Sequence, residues 1–571
     1  PNGLTRIGGW AFDSCVNLSS ITLPESLTTI EKSAFLYSGL TSVTIPDNVT
    51  KIDYFAFYGC NALETLNFNA VNCQDFGRSS YTDENDNRIW TNPFGNSLTT
   101  VNIGNNVQRL PDYFIMGCSN LSSITLPNNI TEIGRNAFAY SGLTSVDLPS
   151  SLAVLDTAVF AYCASLTSVS FPNGLTRIGA WAFDSCVNLS SITLPESLTT
   201  IELSAFRYSG LTSVTIPDNV TEIDGFAFYG CNALTEATIG ESVTTIGEGA
   251  FWNSGLTTLN FNAINCQDFI DNNSRSYCAF DTTLTTVNIG DSVQRIPANF
   301  VSGCSGLTEI TIPENVTSIG DNVFAGCSNL TTLNFNAINC RDFGYRYNSS
   351  SVSPFGDHLT TVNIGDSVQR IPSYFVYGNG LTEITIPEKV EKIGGGAFCN
   401  CGLTTLNFNA VNCQDLYRYY DPYLRDNRYV SPFDTSLTTI NIGNSVQRIP
   451  YYFVVSCHRL TSVTIPKNVT SIRNGAFIDC GLTTLNFNAR NCQDFEADYY
   501  YNYYNPFGTS LTTVNIGDSV QRIPAYFVSS CSGLTSVTIP ESVTEIGGYA
   551  FYGCTGLPSS LTIPKNVTSI G

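Results

Sequence analysis

One unit of 22 or 23 residues returns along this chain, and any fold has to accommodate it. Residues 40–57, LTSVTIPDNVTKIDYFAF, show its form: Leu-x-x-apolar-x-apolar, often Pro, then Val-x-x-Ile-Gly and Ala-Phe. Leu40, Val43 and Ile45 should point one way, and Val49, Ile52 and Phe57 should join them after the turn at Pro46. The alternation in TSVTI, rich in β-branched residues, is a strand signal. Pro46 ends that strand because it has no N–H to give to a ladder, and VTKI reads as a second, shorter extended piece. A single unit of this kind cannot bury its apolar face, whereas stacked units close a core between them. Taking the strand-opening leucine as the marker, 23 units open between Leu18 and Leu557. The last is irregular, LPSSLTIP carrying an extra residue. No segment sustains a 3.6-residue apolar period, so long helices are not expected.

Such an array grows in one dimension and escapes the size limit of a single globular core. The 571 residues therefore read as one continuous solenoid over 1–571, mainly β, rather than as several domains. Only 13% of residues are charged against 43% hydrophobic, so Ser, Thr and Asn carry most of the solubility. A net charge of −21 leaves no basic patch for nucleic acid or an anionic membrane, and no apolar run is long enough to span a bilayer. The chain opens mid-repeat at PNGLTRIG and stops mid-repeat at NVTSIG, so caps and a targeting signal are expected beyond it.

The twenty cysteines follow the repeat rather than a disulfide pattern. Eleven, Cys60 and Cys118 among them, lie three residues before a unit-opening leucine, and Cys401 and Cys480 lie two before it. Five recur inside NCQD or NCRD: Cys73, Cys266, Cys340, Cys413 and Cys492. A residue at one phase of a stack forms a column whose side chains run parallel, so free, buried thiols are expected. No paired C-x-x-C and only two histidines, His358 and His458, argue against a metal site.

LTSVTIPDNVTKIDYFAFYGC, SLTTIELSAFRYSG and ENVTSIGDNVFAGC resemble the BspA-like (Treponema-type) leucine-rich repeats over essentially the whole chain. The resemblance implies a right-handed solenoid with a parallel β-sheet, on secreted or surface-attached proteins associated with adhesion. It implies no catalytic residues.

Two features sit on top of the basic unit. Residues 1–63 return at 172–234 with five differences: Gly9/Ala180, Lys32/Leu203, Leu36/Arg207, Lys51/Glu222 and Tyr54/Gly225. Five longer units, opening at Leu63, Leu256, Leu330, Leu403 and Leu482, read LNFNA and then NC(Q/R)D. Each is followed by a unit reading NIG and Val-Gln-Arg, which places Arg109, Arg295, Arg370, Arg448 and Arg522 at one phase.

The extra residues of the long units, 77–92, 270–279, 344–353, 416–431 and 496–505, hold 14 of the 29 tyrosines. Tyr gives large contact area at low entropic cost, and Ser and Asn adapt their hydrogen bonds, the mixture antibody paratopes use. The candidate binding residues are Tyr81, Trp90, Tyr277, Tyr345, Tyr347, Tyr417, Tyr419, Tyr420, Tyr423, Tyr499, Tyr500, Tyr501, Tyr503 and Tyr504. The competing reading is that these rings only lid the apolar edge where Val-x-x-Ile-Gly and Ala-Phe are displaced. A second candidate surface is the outward face of the strands, where Ser42 and Thr44, Thr100 and Asn102, and Glu309 and Thr311 should stack into polar ladders. Nothing points to catalysis: neither histidine has a recurring acid or nucleophile beside it, and no Gly-rich phosphate loop runs from a strand into a helix. The expectation is a non-enzymatic surface or secreted adhesion protein, extracellular, without cofactor or metal. It would bind a protein or glycan of a host or microbial surface, with a structural spacer and a glycan-binding module as alternatives.

Overall fold

The computed structural model describes residues 3–76, 79–82, 88–269, 278–343, 353–415, 431–495 and 505–571. The chain forms two compact units, Pro1–Ser292 and Val293–Gly571. Each is a parallel β-solenoid, with about 22 turns in all and no helix among the described residues.

Each turn has three sides. The first is the longer strand, as in Ser42–Ile45, Thr65–Phe68 and Thr100–Ile103, paired parallel so that Val43, Leu66 and Val101 share one row and Ile45, Phe68 and Ile103 another. In the second unit Glu309–Ile312, Thr332–Phe335 and Thr361–Ile364 pair in the same register. Val43 and Ile45 are buried and Thr44 is exposed, as strand alternation requires. Thr44 and its equivalents form the expected ladder. Asn102 donates its amide to Asn67 (2.8 Å) and Asn67 to Thr44 (3.1 Å), and Asn363 likewise donates to Asn334 (2.8 Å).

The second side is a two-residue strand. Val154–Leu155, Arg177–Ile178, Thr200–Ile201, Glu222–Ile223 and Thr245–Ile246 form an unbroken five-stranded row. The turns opening at Leu18, Leu121 and Leu189 keep the course of the first side without a longer strand, and the irregular last unit contributes only Ser569–Ile570.

The third side, around Ala-Phe, is neither strand nor helix. Its amides alternate between neighbours. Those of Phe35 and Tyr37 donate to Ala56 and Tyr58 of the next turn (2.8 and 3.0 Å), while those of Ala34 and Ser38 close onto Glu31 and Phe35 of their own turn (3.2 and 3.1 Å). Ser33 and Tyr37, the third residues of those two tight turns, have positive φ, the requirement of a type II turn. Inside, the phenylalanines stack at the pitch of the turns. Phe12, Phe35 and Phe57 lie 5.0 Å apart, and Phe160, Phe183, Phe206 and Phe228 follow at 5.5, 5.2 and 5.3 Å.

All twenty cysteines are thiols, and seventeen are buried. Several donate to carbonyls of an earlier turn: Cys60 to Phe35 (3.0 Å), Cys163 to Phe138 (3.0 Å) and Cys231 to Phe206 (3.1 Å). Burial pushes the Cys118 thiol up to about 12 and that of Cys163 to about 11.

Candidate functional site

The long units keep the turn intact and let the extra residues out at one corner. Gln74 donates its N–H to Thr50 (2.9 Å), so Asp75 and Phe76 occupy the places that Lys51 and Ile52 hold one turn earlier. Phe57 donates its N–H to Pro93 (2.7 Å), so Pro93 and Phe94 take the places of Ala56 and Phe57. The insert thus replaces three residues, Asp53 to Phe55, and the Ala-Phe position is filled rather than displaced.

Entry and exit are pinned together. Phe76 meets Phe94 edge to face at 5.9 Å, and Phe343 meets Phe355 and Phe495 meets Phe507 in the same way (5.9 and 6.0 Å). At the exit, buried Asn92 accepts from the Phe94 amide (2.7 Å) and donates to Gly95 O (3.0 Å). Asn505 repeats this with Phe507 and Gly508 (2.9 and 2.7 Å).

The arginine of the following turn locks the entry. Arg522 pairs with Asp494 (2.6 Å) and Glu545 (3.0 Å) and donates to Cys492 O (2.9 Å). Arg448 pairs with Asp415 (2.6 Å), and Arg109 and Arg370 pair with Asp75 and Asp342. Burial pushes the Asp494 carboxyl up, but Arg522 and the Ala525 amide outweigh it and hold it below the usual carboxylate range. At Asp75 the Asp112 amide and Arg109 outweigh burial in the same direction. These contacts explain why NCQD and Val-Gln-Arg travel together. The link between LNFNA and NIG has its own cause: a Cβ on Gly104 would lie 2.6 Å from the Asn69 amide oxygen, and one on Gly517 would lie 2.2 Å from that of Asn488.

Of the candidate residues, Tyr81 and Trp90 lie in an antiparallel hairpin, Ser79–Thr82 with Arg88–Thr91, where Tyr81 faces Ile89 and Trp90 faces Ser80 in the register. Tyr277, Tyr345, Tyr347, Tyr417, Tyr419, Tyr420, Tyr423, Tyr499, Tyr500, Tyr501, Tyr503 and Tyr504 lie outside the described residues. His358 and His458 are exposed, on different turns. Among the described residues no group of three or more His, Cys, Asp or Glu could hold a metal ion.

The third side is an aromatic surface that repeat counting missed. In the first unit Trp10, Tyr37, Tyr140, Tyr162, Trp181 and Tyr208 all sit on it at positive φ, between 38% and 55% exposed. The tight turns need positive φ at these places, and Gly59, Asn136 and Asn253 meet that need elsewhere. Placing an aromatic there instead costs about 1–2 kcal/mol, strain that tends to be kept where a side chain has a task. Tyr140 and Tyr162 stack in parallel at 4.6 Å. The legible signal was the aromatic that so often flanks Ala-Phe, as in GGWAF, AFLYSG and AFAYSG.

The duplicated segments diverge on this same side. Four of their five differences lie there or at its entry; Lys51/Glu222 falls on the second strand. In the first copy the Lys32 ammonium sits over the Trp10 and Tyr54 rings (5.4 and 4.7 Å). In the second copy Leu203 and Gly225 remove that arrangement. Arg207, which replaces Leu36, now pairs with buried Asp184 (3.3 Å) and lies over the Tyr208 ring (4.9 Å). Burial still pushes the Asp184 carboxyl up despite Arg207.

A family model described as BspA type leucine rich repeat region (6 copies) matches residues 1–92, 87–167, 154–281, 272–404, 354–420, 431–506 and 504–571. No curated protein matches the chain. Among solved structures, a leucine-rich repeat protein from Bacteroides ovatus is 21% identical, with 75% of this chain and 87% of that chain covered and a TM-score of 0.33. A leucine-rich cell surface protein from Faecalibacterium prausnitzii is 18% identical, with 93% and 87% covered and a TM-score of 0.18. A leucine-rich repeat protein of T. pallidum is 22% identical, with 37% and 76% covered and a TM-score of 0.23.

Proposed function

Since the chain belongs to the BspA-type leucine-rich-repeat family, we propose that it is a non-enzymatic recognition protein presented outside the cell. Its partner is a protein or glycan of a host or microbial surface. Leucine-rich-repeat solenoids are in general scaffolds for macromolecular contact, and their length offers extended binding surfaces. The observation that carries the reading is the third side, where exposed Trp and Tyr side chains are held at positive φ although Gly or Asn would fold more cheaply. Tyr and Trp are the residues that most often dominate binding energy at interfaces. The tyrosines of the inserts, including Tyr417, Tyr423, Tyr499 and Tyr503, add specificity from the adjoining corner, on roots rigid enough to present them without large entropic cost. No helix among the described residues is long and apolar enough to cross a membrane.

A spacer role is the second reading, favoured by the near-exact copy of 1–63 at 172–234, which adds reach with little new surface. Adhesion of the purified chain to host cells and matrix proteins separates the two. Recognition predicts adhesion that falls when residues 416–431 and 496–505 are removed or when Tyr140 and Tyr162 become Ser. A spacer predicts none to lose.

A further inference from the structure

The corner between the third side and the next longer strand has a defined length. Val454 N–H donates to Ala476 O and Phe477 N–H to Pro506 O, which places Val454, Phe477 and Phe507 at equivalent positions; Val528 is their counterpart in the following turn. From there to the strand-opening leucine the chain takes six steps to Leu460, five to Leu482, four to Leu511 and six to Leu534. Two shortened corners thus lie between two full ones, and the missing backbone leaves a recess of about 500 Å³ in the second unit. Ser456, His458, Asp479, Thr509, Ser529 and Ser530 are among its lining residues.

The walls are already held. Asn505 spends its amide on Gly508 O (2.7 Å) and Ser529 O (3.2 Å), and Ser510 its hydroxyl on Leu482 O (3.0 Å). The side chains of Ser456, His458, Asp479, Thr509 and Ser530 have no hydrogen-bond or ion-pair partner among the described residues, and all five residues line one space. Among the described lining residues there is no Lys or Arg, so a phosphate, sulfate or carboxylate would meet Asp479 without a fixed counter-charge from them. Among the described lining residues Ile478 is the one aliphatic side chain larger than a thiol, so a lipid or aromatic group would leave these polar groups desolvated and unpaired. What remains is a ligand that is neutral and dense in hydroxyls. Hydroxyls and an imidazole offer hydrogen-bond donors and acceptors, and a carboxylate can accept from two donors at once. The volume lies within the range of small-ligand sites.

We propose that this recess binds a neutral saccharide unit, with the Asp479 carboxylate accepting hydrogen bonds from adjacent sugar hydroxyls. It extends the recognition proposed above to one ligand class and does not depend on the insert tyrosines.

The test is saturation-transfer NMR and titration calorimetry on the full chain with galactose, mannose, N-acetylglucosamine and lactose at millimolar concentration. At least one is expected to bind. Asp479→Ala is expected to weaken it roughly tenfold to a hundredfold, the loss that goes with hydrogen bonds to a charged acceptor. Thr509→Ile, which crowds the mouth, is expected to weaken it as well. Asp479 and Thr509 are exposed, and unchanged thermal unfolding of each variant would show that the fold is kept. The proposal is overturned if no saccharide of the panel binds, or if both variants bind as the parent does. Removal of 416–430 should leave sugar binding intact. Adhesion measured on the same protein then decides the broader recognition reading separately.

Discussion

The ring of Tyr37 lies on the Cα of Gly59 in the next turn, so closely that a Cβ on Gly59 would sit 2.3 Å from the ring's Cδ1 atom. Tyr208 stands on Gly230 in the same way, and Gly59 and Gly230 have φ of 72° and 71°. At these two places the aromatic at one rung fixes glycine at the rung after it, whereas Tyr140 is followed by Tyr162 and stacks on its ring. Gly59→Ala has to bear both left-handed strain and an overpacked contact, together about 2–4 kcal/mol. Urea unfolding should show that loss. Adding Tyr37→Ser should recover the contact part and leave the strain.

Acid should loosen the insert roots first. Asp75 and Asp494 titrate below the ordinary carboxylate range in the folded chain. Their contribution is therefore fully present above the unfolded value, about pH 4, and is lost as pH falls through the lower folded value. Stability measured from pH 6 to pH 2 should drop in that window. Arg109→Gln and Arg522→Gln, which remove the guanidinium partners, should flatten the drop. A slope unchanged in these variants would mean that the Asp–Arg pairs do not carry it.

Thiol chemistry should report folding. Burial pushes Cys118, Cys413 and Cys492 up to about 12, and the thiolate is the reactive form. Iodoacetamide at pH 8 should therefore label the native protein sparsely, at half-buried positions such as Cys15. Urea should expose all twenty cysteines to label without reductant. A mass count well short of twenty in urea would point to disulfides instead.

The phenylalanine column ties successive turns together through their interior. Phe183 is fully buried between Phe160 and Phe206. Phe183→Ala should cost about 3–5 kcal/mol. In a repeat array the loss is felt chiefly by neighbouring turns, so hydrogen exchange should rise around residues 160–206 and stay low several turns away.

Much of the fold was legible because stacking makes the repeat speak for itself. The alternation in TSVTI names the buried Val43 and Ile45, Pro46 ends the strand, and the phase of Cys60 and Phe57 predicts their columns. Of the candidate site the sequence reached the corners where the chain departs from the repeat, the aromatic content of the inserts and the polar ladder from Thr44 to Asn102. It did not reach the third side, because Ala-Phe reads as one buried step. Nothing in residue order says that Tyr37 or Tyr140 must adopt positive φ and turn outward.

By itself, then, the sequence determined the solenoid, its period and the buried columns, since each follows from local apolar spacing multiplied by translation along the stack. Only the tertiary structure decided the relations between successive turns: Tyr37 on Gly59, Asn69 against Gly104, Arg522 across to Asp494, and the recess left by two short corners. Those contacts join residues 22 to 35 positions apart, and their strength depends on angstrom-scale offsets between rungs that no single unit encodes.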